Sequence, residues 1–417
     1  MPTFRIIFLT TVFVWGAMLC GATALGAEKP KAYPDNKPPT PPKEFAVVLS
    51  PGYGTIDHFS SDPKVFENLL INMKKTGFNT IHCVYRPWRI ALCRKHGVKM
   101  MVDILAWKDD VKLDIRRPKQ RPAVEAMCRK LRGEEGVWGY NLWNEKLPFF
   151  GYPDKKNIDQ YMAMIKKWDP THPIWMGTYR VSYANAPKEK PGIHAYYDYH
   201  WQRGFMWHFA DLQWYMGHCR NMDGHIGRWI LGSNYNLNSY TLNTSIPFGL
   251  KVCIWFIGGP FDKEGNIDTK HRFYHLVRIG QERKALYPDL MKIGRPTAVY
   301  STTTVKSESN KDKKKDVPWR LPPFPKTHWL QVKQGEALLG FFKYPNGDDA
   351  VYIANHNAYA PQEMTLALDP KSCAKAAVEL LDRKTGKWRQ LESKDAAVSF
   401  TLTAAGGELL RIKDRSK

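Results

Sequence analysis

The sequence predicts an α/β protein: a (β/α)8 TIM barrel followed by a small all-β sandwich domain. Three observations predict it. Eight short apolar runs alternate with helical patterns between Phe45 and Leu286, and such alternation favours a parallel sheet buried on both faces. No glycine-rich phosphate loop follows the first run, because Ser50-Pro51-Gly52-Tyr53-Gly54 is not GxGxxG; this weighs against a doubly wound open sheet. After Pro296 the pattern changes to short period-two stretches broken by turn sequences, the mark of an antiparallel module. With 417 residues and 43% hydrophobic content, a large packed core is available.

The elements follow in order. Residues 1–27 read as a secretory signal peptide: Arg5, an apolar run from Ile6 to Leu19, then small residues allowing cleavage after Ala24 or Ala27. No later segment approaches ~20 continuous apolar residues, so a secreted or periplasmic protein is expected, without stable membrane insertion after signal removal. Residues 28–43 form a Pro/Lys-rich linker. The barrel is expected over 44–294. Its strands are Phe45–Leu49, Phe78–Val84, Lys99–Leu105, Val137–Leu142, Ile174–Gly177, Ile193–Tyr197, Trp229–Leu231 and Val252–Ile257. Helical spacing appears at Phe66, Leu69, Leu70 and Met73 behind a Ser61 or Asp62 cap, and at Ile90–His96 before Gly97. It recurs at Val124–Leu131, Ile158–Trp168, Phe209–Met216 and Lys270–Leu286. Residues 295–326 read as a linker and 327–417 as the C-terminal β-sandwich, with turns at Pro345–Asp348 and Lys384–Lys387.

Charge excludes some functions. Lys and Arg total 62 against 40 Asp and Glu, a net charge of +22. The excess is spread: 40 basic against 26 acidic residues in 28–294, and 21 against 14 in 295–417. A nucleic-acid binder concentrates it on one module, so no nucleic acid is expected. An acidic or sulfated polymer fits as a partner. The seven cysteines contain no CxxC pair, so neither a zinc site nor a disulfide scaffold is expected; several read as buried thiols. No cofactor and no metal are implied, and oligomeric state is not readable.

In a barrel of this kind the chemistry lies at the carboxyl ends of the strands. The sharpest signal there closes the fourth run, Val137-Trp138-Gly139-Tyr140-Asn141-Leu142-Trp143-Asn144-Glu145. Glycoside hydrolysis needs a carboxylic acid to protonate the leaving oxygen. Glu145 has the type and place for general acid/base work, with Asn144 beside it to bind sugar; the alternative for Glu145 is a helix-capping or salt-bridging carboxylate. The sixth run ends in Asp198-Tyr199-His200-Trp201, and the third in Asp103 with Trp107 beyond. Aromatic rings at strand ends suit stacking on sugar faces. Candidate substrate-binding residues are therefore Asn144, Trp255, Trp201, Tyr199, His200, Asn234, Trp107, Asp103 and Arg86. His58 and His194 are further hydrogen-bonding candidates.

Gly136–Glu145 resembles the fourth strand of clan A (β/α)8 glycoside hydrolases, in particular the β-galactosidase and agarase-like branches. There Asn-Glu supplies the acid/base. Gly249–Phe256 resembles their eighth strand, whose Trp forms a sugar platform. The Asp382–Lys387 turn and the Gly406–Ile412 ending resemble the β-module fused behind such barrels. The resemblance implies an exported glycoside hydrolase-like protein acting on a poly- or oligosaccharide. One departure stands out: retaining members carry a second Glu at the end of strand seven, yet no Asp or Glu occurs from Gly224 to Phe261. A non-standard second carboxylate is then required. Asp198 is the first choice, ahead of Asp103 and Asp262. The alternative is a non-catalytic carbohydrate-binding protein on a degenerate glycosidase barrel.

Overall fold

Eight parallel strands close on themselves in sequence order. They are β1 (Ala46–Leu49), β2 (Thr80–Val84), β3 (Lys99–Asp103), β4 (Val137–Trp143), β5 (Ile174–Thr178), β6 (Ile193–Tyr197), β7 (His225–Ile230) and β8 (Leu250–Trp255). The closing pair runs from Ala46 opposite Val252 to Leu49 opposite Trp255. The computed structural model describes residues 41–50, 62–104, 113–143, 155–178, 193–197, 225–230, 234–255, 259–302 and 324–415. The signal segment, the helix expected at 209–216, His58, Trp107, Asn144, Glu145, Asp198, Tyr199, His200 and Trp201 lie outside these residues.

Strand parity divides the apolar residues between two cores. Ala46, Val48, Met101, Trp138, Trp175, Val252 and Ile254 form one buried cluster inside the cylinder. Their strand neighbours Val47, Leu49, Val102, Cys253 and Trp255 belong to a larger cluster shared with the surrounding helices. Successive strand side chains point to opposite faces, so one run of apolar residues supplies both cores. Two tryptophans fill the interior, which is packed rather than open.

The helices are α1 (Pro63–Thr76), α2 (Pro87–His96), α3 (Arg121–Leu131), α4 (Lys155–Trp168), α5 (Tyr235–Ser245), α6 (His275–Arg283) and α7 (Tyr287–Lys292). The Asp62 carboxylate caps α1 by accepting from the Lys64 N–H at 2.8 Å. Gly77 ends α1 with φ of 84°, a left-handed conformation that glycine adopts without strain. It also lies against Gly280 of α6: a Cβ on Gly77 would sit 2.6 Å from the Gly280 carbonyl carbon. These two glycines let α6 pack directly on the end of α1.

All eight expected strands are present, but β7 starts at His225, ahead of the expected Trp229. Gly227 and Arg228 interrupt its apolar run. Arg228 is nevertheless fully buried and donates to the Thr241 carbonyl at 3.3 Å and to Ser245 Oγ, both on α5. Helix α5 itself carries no apolar periodicity, and the expected helix from Lys270 to Leu286 is the shorter α6 followed by α7.

The second part of the chain forms two antiparallel sheets. One holds β10 (Leu330–Gln334), β13 (Gln362–Leu368) and β16 (Ala397–Leu402). The other has the order β15 (Trp388–Gln390), β14 (Ala377–Leu381), β17 (Gly407–Lys413), β12 (Asp349–Asn355), β11 (Ala337–Lys343) and β9 (Ala298–Ser301). Strand β9 comes from the stretch read as linker; four residues just past Pro296 are too short to stand out in sequence. A separate apolar core fills this module. On its other side Leu338, Phe342, Ala350, Ala354 and Leu409 join the barrel's outer core, and polar contacts add to this: Tyr352 donates to Asn243 Oδ1 at 2.7 Å, and Asn243 donates to the Ala405 carbonyl at 2.5 Å. Five of the cysteines are free and buried.

Candidate functional site at the strand ends

At the carboxyl ends of the first four strands the barrel lining changes from apolar to polar. Ser50 follows β1, His82 lies in β2, Asp103 ends β3 and Asn141 lies in β4. Each continues the inward parity set by Val48, Met101 and the facing register of Asp103 with Asn141. The Ser50 hydroxyl is 3.1 Å from His82 Nδ1. Asn141 Nδ2 is 3.0 Å from His82 Nε2. Asp103 Oδ2 is 3.6 Å from the same nitrogen. His82 is 4% exposed, Asp103 5% and Asn141 0%. Asn141 Oδ1 finds no hydrogen-bond partner among the described residues. A buried acceptor left in that state costs free energy until a donor arrives.

This floor is chemically specific. It sets an imidazole between a hydroxyl, an amide and a carboxylate. Amides and carboxylates are group types that can hydrogen-bond a hydroxyl-bearing ligand. Just outside the barrel wall, burial pushes the Cys83 thiol up to about 11, with Arg89 opposing and Asp103 adding to the rise. That thiol is inert at neutral pH. Among the described residues, no three His, Cys, Asp or Glu side chains stand together as a metal site.

A second His–Asp pair lies on the opposite face of the same strand. Tyr140, next to Asn141, donates to Asp169 Oδ2 at 2.6 Å. His172 Nδ1 is 2.7 Å from that oxygen, and Thr171 donates to Oδ1 through both its N–H and its hydroxyl. Burial by itself would raise the Asp169 pKa; the bonds from His172, Thr171 and Tyr140 overcome it and hold the carboxyl at about 2. Gly139 completes this arrangement, since a Cβ there would sit 2.4 Å from the Pro173 carbonyl.

The structure distributes the expected site residues unevenly. Asp103 faces the barrel interior at the mouth. Arg86 is exposed after β2, at the start of α2, and makes no capping bond. Asn234 caps α5, accepting from the Leu237 N–H at 3.0 Å. Trp255 requires correction. It is 3% exposed and packs with the outer core, because Val252 and Ile254 take the inward positions on β8. It offers no ring face to a ligand. Asp262 also has a structural assignment: its carboxylate accepts from the Glu264 and Asn266 N–H groups and locks a turn. His82 was not singled out from the sequence. The signal was its parity, two residues beyond Thr80 in a strand whose alternate positions face inward.

Two cavities, of about 320 and 450 Å³, lie at the other end of the barrel, against the starts of β1 to β5. That end serves stability in this architecture.

No family model matches the chain, and no curated protein matches it. Solved structures do. The α-amylase of Geobacillus thermoleovorans, determined in complex with acarbose, aligns with 89% of this chain and 98% of its own, at 11% identity and a TM-score of 0.50. A putative α-galactosidase from Bacteroides fragilis aligns with 89% of this chain and 80% of its own, at 9% identity and a TM-score of 0.50. These likenesses show the fold, a glycoside hydrolase-like (β/α)8 barrel with a β-sandwich behind it.

Proposed function

We propose that the protein is an exported glycoside hydrolase acting on a poly- or oligosaccharide, with Glu145 as general acid/base and Asn144 as a sugar-binding neighbour. The observation that carries this reading is the polarity of the barrel. Apolar side chains fill the cylinder below, while Ser50, His82, Asp103 and Asn141 form a polar layer where the strands end. Strand β4 ends at Trp143, on that side, and Asn144-Glu145 are the next two residues of the chain. The α-amylase and putative α-galactosidase of like fold are carbohydrate-active by name, which supports a carbohydrate partner. The net charge of +22 makes acidic or sulfated glycans sensible members of the first screen.

The test is Glu145→Gln, assayed for reducing-end release from agarose and from carrageenan, a neutral and a sulfated galactan. The parent is expected to release ends. The variant is expected to lose release while keeping its retardation in affinity electrophoresis through the same gels. Equal release by both proteins refutes the assignment.

One observation favours a second reading, a carbohydrate-binding protein without turnover: no acidic residue stands between Gly224 and Phe261. That reading expects retardation of the parent with no reducing ends.

A further inference from the structure

The charge excess that runs evenly along the sequence is gathered in space. Helices of this barrel run against the strands, so their carboxyl ends meet where the strands begin. Helices α1 to α4 and α6 all carry Lys or Arg in the last turn and no acid in the first, from Lys74 and Lys75 on α1 to Lys166 and Lys167 on α4. Cations there offset the helix dipole and so stabilise the fold. Several are also paired: Lys95 with Glu67 at 2.7 Å, Arg129 with Glu125 at 2.8 Å and Lys292 with Asp289 at 3.0 Å.

Stability does not explain the cations left over. Lys43, Lys74 and Lys284 come from three separate parts of the chain and line the cavity of about 450 Å³. All three are exposed, with no ion-pair or hydrogen-bond partner among the described residues. Lys74 Nζ reaches across to Gly97, 3.6 Å from where a Cβ on that glycine would stand. The acid in this lining, Glu44, already faces Lys99 at 3.4 Å. The cavity of about 320 Å³ adjoins it, sharing Lys43 and Gly97. Glu134 in that second lining is taken by Arg94 at 3.0 Å, which leaves Glu135 as its one acid without a described partner. Trp138 lines the same cavity and is 3% exposed, and its Nε1 has no hydrogen-bond partner among the described residues. A buried N–H in that state costs free energy until an acceptor arrives.

We propose that this end of the barrel is a second, non-catalytic binding site for a sulfated polysaccharide, whose sulfate groups meet Lys43, Lys74 and Lys284 and whose oxygens accept from Trp138. The proposal rests on the carbohydrate partner of the proposed function and is independent of Glu145. Cations spread over separate elements and two joined hollows suit repeated anions along a chain better than one small anion. Among the described residues no exposed aromatic ring lines either cavity. Base stacking and insertion into a lipid surface therefore have no side chain to provide them.

The experiment uses the full-length chain in affinity electrophoresis through carrageenan, with agarose as the neutral control. The parent is expected to be retarded by carrageenan, and less so as NaCl rises to about 0.5 M. The triple variant Lys43→Gln, Lys74→Gln, Lys284→Gln is expected to lose about 10-fold in carrageenan affinity while keeping its behaviour in agarose. A second triple variant, Lys371→Gln, Lys384→Gln, Lys394→Gln, removes the same charge from exposed positions of the β-module and is expected to bind within about twofold of the parent. The Trp138 indole N–H, assigned in nitrogen-15 NMR spectra by its loss in Trp138→Phe, is expected to shift downfield on adding a sulfated carrageenan tetrasaccharide. Equal losses in the two triple variants mean that net charge alone attracts the polymer, and overturn the site. So does a parent that carrageenan does not retard. Tighter binding to phosphatidylserine vesicles or to duplex DNA at the same ionic strength, lost in the first triple variant, overturns the assignment to a polysaccharide. Because these readouts are of binding, a parent that cleaves neither galactan defeats the hydrolase reading and leaves this site standing, and failure of this site leaves the Glu145→Gln test untouched.

Discussion

Tyr140 and Asn141 are neighbours on β4, yet they belong to two different kinds of polar site. Tyr140 points outward to Asp169, a carboxylate that also receives Thr171 and His172 at 2.5 to 2.9 Å. Asn141 points inward to His82, whose distance to Asp103 is 3.6 Å and beside which an amide oxygen has no described partner. Both sites are buried histidine–aspartate pairs, and residue type alone would not separate them. Their saturation does. The outer pair has its acceptors filled by the chain and fixes the entry into β5. Beside the inner pair, the Asn141 amide oxygen has no hydrogen-bond partner among the described residues, at the end of the barrel where the strands finish.

The comparison is broken most strongly by removing Asp169. Asp169→Ala strands the Tyr140 hydroxyl and the His172 ring as buried donors, and should cost about 3 kcal/mol of stability. Urea denaturation followed by circular dichroism reads this loss. Asp103→Asn should cost about 1 kcal/mol or less by the same measurement. Equal destabilisation by the two variants would mean that both pairs are structural.

Acid sharpens the contrast. The Asp169 carboxyl is held at about 2 in the folded chain against an ordinary 3.8. Its folded pKa is depressed, so its contribution is present above pH 3.8 and is lost as the pH falls towards 2. Acid-titration curves of the parent should therefore steepen between pH 4 and 2. Asp169→Asn should flatten that stretch.

The same contrast explains what the sequence made legible. The barrel could be read because strands such as β1, β3, β4 and β8 are buried on both faces and so appear as near-continuous apolar runs. Helix α5 could not, because Tyr240 and Leu242 are buried amid the polar Asn238, Ser239, Asn243, Thr244 and Ser245. Ser239, Asn243 and Ser245 serve the guanidinium groups of Arg228 and Arg283 and the Tyr352 hydroxyl of the β-module. No regular hydrophobic period marks such a face, so nothing in the sequence shows that Asn234 caps a helix. Trp255 and His82 fail for a single reason. A strand end fixes the height of a residue in the barrel, while parity fixes its side, and a continuous apolar run hides parity. Hence a core tryptophan reads in sequence as a sugar platform, and an inward histidine does not stand out.

Lys251 extends the comparison to a buried group with two backbone acceptors and no counter-charge among the described residues. It points outward from β8 and donates to the Leu290 and Ile293 carbonyls at the end of α7, the latter at 2.9 Å. Burial lowers its pKa from 10.5 to about 7. The sign is opposite to that of Asp169. Below pH 7 the lysine is charged in both states, and folding buries that charge. Between pH 7 and 10.5 the folded chain sheds a proton that the unfolded chain retains, so stability rises with pH. Lys251→Met removes this rise. Its urea midpoint, compared with that of the parent at pH 6, 8 and 10, should lose ground steadily from the lowest pH to the highest. The two missing carbonyl bonds lower the variant by a similar amount at every pH and do not affect the slope. A parallel pair of curves would show that the two carbonyls alone keep the ammonium charged, and that backbone acceptors can satisfy a buried cation as fully as Thr171, His172 and Tyr140 satisfy Asp169.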